Sequence, residues 1–300
     1  MRWKYILVGL LILALCLLIS CGMIPGHRAA APLSQRTGQV AASLTALPEE
    51  LAPVKLLARQ NGIVVWSGRR DTVGSYEIYA GTGAYRAVET PLTGEWEIFS
   101  MAPSPDGGMW MILEKEKRCV MMKISTIGAV VMKREMDFRP ESIVCDSSGH
   151  VFLAAVGEVW RLSPTGELQG HITVCQEDAV LHLAAKRERV FVRSKAPGEP
   201  ACYMEIMGDM SLGDPFKACM ARADAWPIGS FLPEYTVMER DDVGLYACRE
   251  DGCWETVCLW SELRLNGTIE ADWINDAQGR GNVVYVQNGL HYCLTLYAAE

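Results

Sequence analysis

Short apolar stretches alternate with turn-forming residues along the chain from about residue 60 onward. The stretches are about four to seven residues long, and no segment carries a helical apolar stripe longer than about ten residues. Gly, Pro, Asp, Asn and Ser cluster between them, as is typical of tight turns between strands. This pattern predicts an all-β domain of many short strands, arranged as a sandwich, a barrel or a propeller.

The clearest unit runs from residue 141 to residue 174. Its turns are Asp146-Ser147-Ser148-Gly149, Val156-Gly157-Glu158 and Ser163-Pro164-Thr165-Gly166. They separate four predicted strands, over 142–145, 150–155, 159–162 and 167–174. Four antiparallel strands joined by glycine-containing turns, in a unit of this length, make one blade of a β-propeller. The sequence pattern of this unit resembles that of NHL and quinoprotein-like blades.

Similar units recur along the chain, beginning near residues 61, 98, 180, 235 and 282, with an insertion around residues 195–230. This count predicts a β-propeller of about six four-stranded blades, complete or incomplete, with a β-sandwich as the alternative. Propeller blades bury their faces against one another and are stable only together. We therefore expect four strand tryptophans to pack between blades: Trp66, Trp110, Trp160 and Trp254.

The first 21 residues have the layout of an export signal. Arg2 and Lys4 precede an uncharged apolar run over 6–19, which is shorter than a membrane-spanning helix requires. The run ends in Leu18-Ile19-Ser20-Cys21, which resembles the lipobox of bacterial lipoproteins. The resemblance implies cleavage before Cys21 and acylation of its thiol. The alternative is an uncleaved N-terminal anchor with an incidental cysteine.

Three segments follow from these patterns. Residues 1–20 are predicted to be a lipoprotein signal peptide, residues 21–58 a flexible tether, and residues 59–300 the propeller domain. The tether prediction rests on a high content of Ala, Pro, Gly, Ser and Thr without a sustained period. Within it, residues 39–46 suggest a helical turn or two at most.

Charge narrows the range of partners. The full chain carries a formal net charge of −8, and loss of Arg2 and Lys4 with the signal peptide leaves 26 basic and 36 acidic residues, a net charge of −10. An acidic chain of this kind argues against nucleic acid as a partner. The partner predicted from the sequence is the lipid bilayer, reached through acylated Cys21, together with a protein or small-molecule ligand that the sequence does not identify.

Nothing in the sequence matches a strong catalytic motif, so we predict neither an enzyme nor a cofactor. Cys248, Cys253 and Cys258 are five residues apart, which is not the usual spacing of zinc ligands, and no metal site is predicted. If residues 249–252 form a hairpin turn, Cys248 and Cys253 face each other, which makes them a candidate disulfide. Free thiols are the alternative, since most of the cysteines lie inside apolar runs.

The arrangement as a whole resembles the N-terminal propeller half of Gram-positive extracellular solute-binding lipoproteins, most clearly from residues 244–246 through 259–267. The resemblance implies a binding or scaffold module at the extracytoplasmic face of the cell membrane, linked to ABC-type solute uptake. These 300 residues contain no solute-binding domain, so we expect a truncated relative or a stand-alone propeller. The alternatives are a propeller enzyme, such as a lactonase or a glycoside-acting protein, and an envelope-assembly scaffold.

Overall fold

The computed structural model describes residues 36–37, 40–47, 55–59, 62–69, 72–79, 85–90, 96–175, 179–218, 226–230, 232–275 and 281–298. Its 25 strands, in chain order, are β1 (Arg36–Thr37), β2 (Val40–Ala46), β3 (Lys55–Arg59), β4 (Gly62–Arg69), β5 (Thr72–Tyr79), β6 (Tyr85–Thr90), β7 (Glu97–Pro103), β8 (Met109–Lys115), β9 (Arg118–Ile124), β10 (Val130–Met136), β11 (Ser142–Cys145), β12 (Val151–Ala155), β13 (Glu158–Leu162), β14 (Leu168–Thr173), β15 (Val180–Lys186), β16 (Arg189–Lys195), β17 (Cys202–Ile206), β18 (Phe216–Lys217), β19 (Trp226–Gly229), β20 (Val237–Arg240), β21 (Gly244–Cys248), β22 (Trp254–Leu259), β23 (Thr268–Asn275), β24 (Gly281–Gln287) and β25 (Leu290–Ala298). These residues include no helix, and so none that is long and apolar enough to cross a membrane.

The strands form six antiparallel sheets. Five sheets have four strands each, which we number as blades 1 to 5: β3–β6, β7–β10, β11–β14, β15–β18 and β19–β22. Blade 6 has five strands in the order β23-β24-β25-β2-β1. The first strand of each blade contacts the first strand of the next, and β23 contacts β3, so these six strands close a ring. The predicted all-β propeller of four-stranded blades is confirmed.

The predicted unit at 141–174 is blade 3, whose four strands pair in sequence order. Its apolar side chains alternate between two cores. Leu153 packs in a cluster with Trp110 and Met121 of blade 2, whereas Phe152 packs in a cluster with Leu183 of blade 4. Burial of both faces of each sheet between neighbours is what holds the ring together.

Three of the four tryptophans lie between blades as predicted. Trp110 is fully buried between blades 2 and 3, and Trp160 packs against the same cluster, with its ring stacked on Phe138 at 4.3 Å between centroids. Trp254 packs against the cluster between blades 4 and 5. Trp66 lies on β4, and its side chain is outside the described part of the structure.

The N-terminal strand β2 completes blade 6. It pairs along its whole length with β25, from Val40 opposite Ala298 to Ala46 opposite Tyr292. These residues lie in the stretch predicted as a flexible tether with a helical turn, and the structure corrects that prediction. Val40, Ala42 and Leu44 recur at a period of two and pack in the core shared by blades 5 and 6, which is why the segment is a strand. The propeller therefore begins before residue 59.

Each blade places its turns on two opposite faces of the ring. The turns between second and third strands, such as 116–117 and 156–157, define what we call the upper face. The turns between third and outermost strands, such as 125–129 and 163–167, define the lower face. In blade 6, β25 ends and β2 begins at the lower face, where the other blades have this second kind of turn.

Candidate functional site

A buried polar cluster joins blade 4 to blade 5. His182, Arg193 and Tyr203 lie opposite one another on neighbouring strands of blade 4, on the side that faces blade 5. Glu239 enters from β20, and its Oε1 accepts hydrogen bonds from Arg193 Nε at 2.9 Å and from Tyr203 OH at 3.0 Å. Both members of the ion pair are inaccessible to solvent, Arg193 at 4% and Glu239 at 0% exposure.

The environment of this cluster shifts the pKa values of its members. Burial, and then the Glu239 carboxylate, raise the pKa of Tyr203 well above 10, so its hydroxyl stays protonated and donates to Glu239. A buried ion pair with a second hydrogen bond to the carboxylate is satisfied internally. The cluster therefore links blade 4 to blade 5 through buried hydrogen bonds, and its role is structural.

His182 is expected to make stability depend on pH. Burial, and then the Arg193 guanidinium, lower the pKa of His182 from 6.5 to about 4, so the folded state keeps this imidazole neutral where the unfolded chain protonates it. The stability that neutral His182 provides is complete above pH 6.5 and is lost as the pH falls towards 4. In His182→Gln, the decline in the free energy of unfolding over this range should be shallower. Urea unfolding across the range measures this.

The exposed His171 supplies the matched control for this prediction. His171→Gln should leave the pH dependence of unfolding as it is in the unchanged protein. If both variants show the same pH dependence of unfolding as the unchanged protein, His182 does not contribute to that dependence. Its ring would then not be shielded from solvent in the folded state.

The predicted site residues fall in three places. Cys21 lies outside the described residues, and its acylation stays a prediction. Residues 249–252 do form the expected hairpin turn, with Gly252 N–H donating to Arg249 O. The register of that hairpin sets Cys248 opposite Trp254 and not opposite Cys253, and the two cysteines form no disulfide. Cys248 is buried and Cys253 is exposed.

Cys248 and Cys258 lie on opposite sides of blade 5. Cys248 packs in the core towards blade 4, and Cys258 packs in the core towards blade 6. Burial raises the pKa of the Cys258 thiol to about 12, so it is protonated at neutral pH and packs as a small apolar group. Within the ranges that the structure describes, no three His, Cys, Asp or Glu side chains are grouped so as to hold a metal ion.

The lower face carries a row of exposed apolar side chains on three successive blades. Their exposed fractions are 81% for Ile127, 42% for Val130, 62% for Val131, 55% for Leu168 and 46% for Met207. We call these five residues the apolar strip. Ile127 lies in the lower turn of blade 2, Val130 and Val131 follow that turn on β10, Leu168 follows the turn of blade 3, and Met207 begins the turn of blade 4.

The three turns adjoin one another around the ring. A β-carbon added at Gly166 in the turn of blade 3 would lie 2.5 Å from Met132 Cε on the outer strand of blade 2. One added at Gly170 of blade 3 would lie 3.4 Å from Met210 Cγ in the turn of blade 4. Each lower turn thus packs on the outermost strand of the blade before it. The turns and outer strands that carry the apolar strip therefore adjoin one another on the lower face.

The same turn geometry recurs in these blades. The fourth residue of each turn has a positive φ and donates its N–H to the first, as in Gly128 to Ser125, Gly166 to Ser163 and Met210 to Met207. An apolar residue follows two positions after the residue of positive φ, namely Val130, Leu168 and Leu212. Aligning the turns in this way finds two members of the strip, Val130 and Leu168, whereas Leu212 packs against the core between blades 3 and 4. Exposure of the strip depends on the outermost strands having no further blade strand beside them.

Comparisons with known proteins concern the fold. No family model matches the sequence, and no curated protein matches it. Among solved structures, the RRP9 WD40 repeats superpose with a TM-score of 0.58 at 10% identity, over 91% of this chain and 99% of that one. The WD40 domain of Toxoplasma gondii coronin gives 0.55 at 9% identity, over 90% and 89%. The soluble aldose sugar dehydrogenase of Escherichia coli gives 0.52 at 10% identity, over 86% and 100%. At identities this low, the superpositions show only that the β-propeller fold is shared.

Proposed function

We propose that this chain is a lipid-anchored, extracytoplasmic β-propeller that acts as a binding or scaffold module. Residues 1–20 are removed as a signal peptide, and the Cys21 thiol is acylated and held in the cell membrane. The proposal is supported by the positive Arg2 and Lys4, the apolar run at 6–19 and the small Ser20 before the cysteine. The first strand that the structure describes begins at Arg36, fifteen positions after Cys21 in the sequence.

The apolar strip carries the binding part of the proposal. Large contiguous exposed apolar surface on a soluble protein often marks a site that another surface covers during function. The closed ring presents the strip on a rigid support, since its turns and strands pack on neighbouring blades. A preformed apolar surface loses little conformational entropy on association, which suits a binding module. The likeness to WD40 domains supports the proposal at the level of this scaffold.

A link to ABC-type solute uptake extends the proposal. It rests on the resemblance of residues 244–267 to the propeller half of solute-binding lipoproteins, and it would place the propeller next to a membrane permease. Anchoring comes first, because every such role requires the ring to remain at the membrane.

Exchanging Cys21 tests the anchor. In Cys21→Ala, the protein should move from the membrane fraction of its host cells to the soluble or secreted fraction, because no thiol remains to carry the acyl chains. Cys16→Ala is the matched control, since Cys16 lies in the apolar run and leaves with the signal peptide. This variant should fractionate with membranes like the unchanged protein. Immunoblotting of washed membranes and supernatants provides the measurement.

The outcome separates anchoring from other modes of retention. Membrane association that survives Cys21→Ala, together with a product that still carries residues 1–20, would show an uncleaved N-terminal anchor and overturn the lipoprotein proposal. Loss of membrane association in both variants would point to a defect in export and would equally contradict it.

A further inference from the structure

Cys175 lies at the upper end of the core between blades 3 and 4. It follows β14, the outermost strand of blade 3, which runs from the lower face to the upper face. Its backbone N–H donates to the carbonyl oxygen of Gly157, in the upper turn of the same blade, at 3.2 Å. Its side chain packs against the apolar core that blade 3 shares with blade 4.

Cys202 lies at the same end of this core, on the side of blade 4. It begins β17 directly after the upper connection 196–201 and stands opposite Ser194 of β16. Side chains alternate along a strand, and Met204 of β17 packs against the core with blade 3, whereas Tyr203 packs in the core with blade 5. Cys202 therefore shares the face of Met204 and is directed towards blade 3.

Contacts at the lower face place β14 beside β17. A β-carbon added at Gly170 of β14 would lie 3.4 Å from Met210 Cγ, in the turn that follows β17. From the adjacent strand β13, Arg161 Nη1 donates to Gly208 O of the same turn at 2.8 Å. Because β14 runs towards the upper face and β17 runs away from it, the end of β14 meets the start of β17 at the upper face.

The electrostatics of the two thiols agree with this placement. Burial, and then the charge of Cys175, raise the pKa of the Cys202 thiol. Charges shift a neighbouring pKa mainly from within about 4–6 Å, so Cys175 and Cys202 are close neighbours. Both are only half-buried, unlike Cys248 and Cys258, so a small reagent at the upper face can reach them.

We propose that Cys175 and Cys202 are a redox-sensitive pair, which a small-molecule disulfide oxidises to a disulfide between blades 3 and 4. One cysteine thiolate attacks a sulfur of the oxidant, whose S–S bond breaks, and a mixed disulfide forms as one thiolate leaves. The second cysteine, as a thiolate, then displaces the other thiolate of the oxidant. The two cysteines together lose two protons and two electrons, and the oxidant is reduced to two thiols.

The disulfide would restrain the junction of the two blades. Cys175 and Cys202 are 27 positions apart, and the loop closed between them contains β15 and β16, the two inner strands of blade 4. Closing such a loop lowers the conformational entropy of the unfolded chain and so stabilises the folded ring. The inference does not depend on the proposed anchoring, although an extracytoplasmic location would supply an oxidising environment.

Oxidation of the purified full-length protein in mild detergent tests the pair. All samples carry Cys253→Ser, which removes the exposed thiol of blade 5. The reduced protein is incubated with oxidised glutathione, remaining thiols are alkylated, and the digest is analysed by mass spectrometry with and without reductant. Cys175→Ser and Cys202→Ser remove one partner each. Cys145→Ser is the matched control, since Cys145 is another half-buried thiol of blade 3 but packs towards blade 2.

The expected product is a reducible cross-link between the peptides that contain Cys175 and Cys202. The melting temperature of the oxidised protein should exceed that of the reduced protein by about 5–10 °C. Cys175→Ser and Cys202→Ser should each abolish the cross-link and this difference, whereas Cys145→Ser should preserve both. Circular dichroism of the reduced variants confirms that each is folded.

Glutathione that remains attached to Cys175 or Cys202 without a cross-link would show that the second thiol is out of reach, and it would overturn the proposal. A cross-link that survives Cys175→Ser, or one that joins either cysteine to a different partner, would contradict it equally. None of these results bears on the Cys21→Ala experiment, which tests anchoring in cells.

Discussion

Glu239→Ala is expected to lower the free energy of unfolding by about 3–5 kcal/mol, the usual loss when one partner of a buried ion pair is removed. Glu239 is fully buried and accepts hydrogen bonds from both Arg193 and Tyr203, so its loss leaves a guanidinium uncompensated between blades 4 and 5. Urea unfolding followed by fluorescence measures the loss. The ring should unfold at a lower denaturant concentration because the buried polar contact between blades 4 and 5 is lost.

An exposed ion pair provides the comparison. Arg118 and Glu135 are 2.8 Å apart on blade 2, with side chains 64% and 60% exposed, and Glu135→Ala should cost no more than about 1 kcal/mol. Replacing Arg193 by Met and Glu239 by Leu together should recover much of the loss, since the unpaired charge is then absent. Equal effects of Glu239→Ala and Glu135→Ala would contradict the description of the cluster as a buried joint.

Removal of β2 is expected to be at least as damaging. A mature chain that begins at residue 48 lacks the outer strand of blade 6, whereas one that begins at residue 36 retains it. Val40 is fully buried and alone contributes about 1.5–3 kcal/mol of apolar burial. Removal of β2 also uncovers the edge of β25 and the core around Leu294 and Leu296. The shorter chain should melt at a much lower temperature and aggregate, and differential scanning calorimetry of the two chains measures this.

Blades 2 and 3 could be predicted from the sequence, whereas β17, β18 and β19 of blades 4 and 5 fall inside the predicted insertion at 195–230. Blade 3 is the clearest case, since local turns such as 146–149 and 163–166 set its hairpins and alternation sets its faces. β19 was missed inside the predicted insertion at 195–230, because it is only four residues long and contains Pro227, which argues against a strand. β2 was missed because its partner β25 lies about 250 residues away, and a small-residue strand there has the composition of a linker.

The candidate sites also differ in how far the sequence alone predicts them. The motif around Cys21 is local, and it is visible in the sequence without any structure. The cluster of His182, Arg193, Tyr203 and Glu239 depends on how blades 4 and 5 face each other, which spacing along the chain does not specify. The apolar strip has a local signal in its repeated turns, but exposure of those side chains follows only from the position of the outermost strands.

The pairing of β2 with β25 is the central claim, because it completes blade 6 with a strand from the N-terminal part of the chain. Hydrogen exchange of the β25 amides tests it in the chain that begins at residue 48, with and without a peptide of residues 36–47. The amides that point towards β2 should exchange rapidly without the peptide and become protected when it binds, as expected for addition of a strand to an open sheet edge. Equal, strong protection of β25 with and without the peptide would show that the blade is complete without β2 and would contradict this pairing.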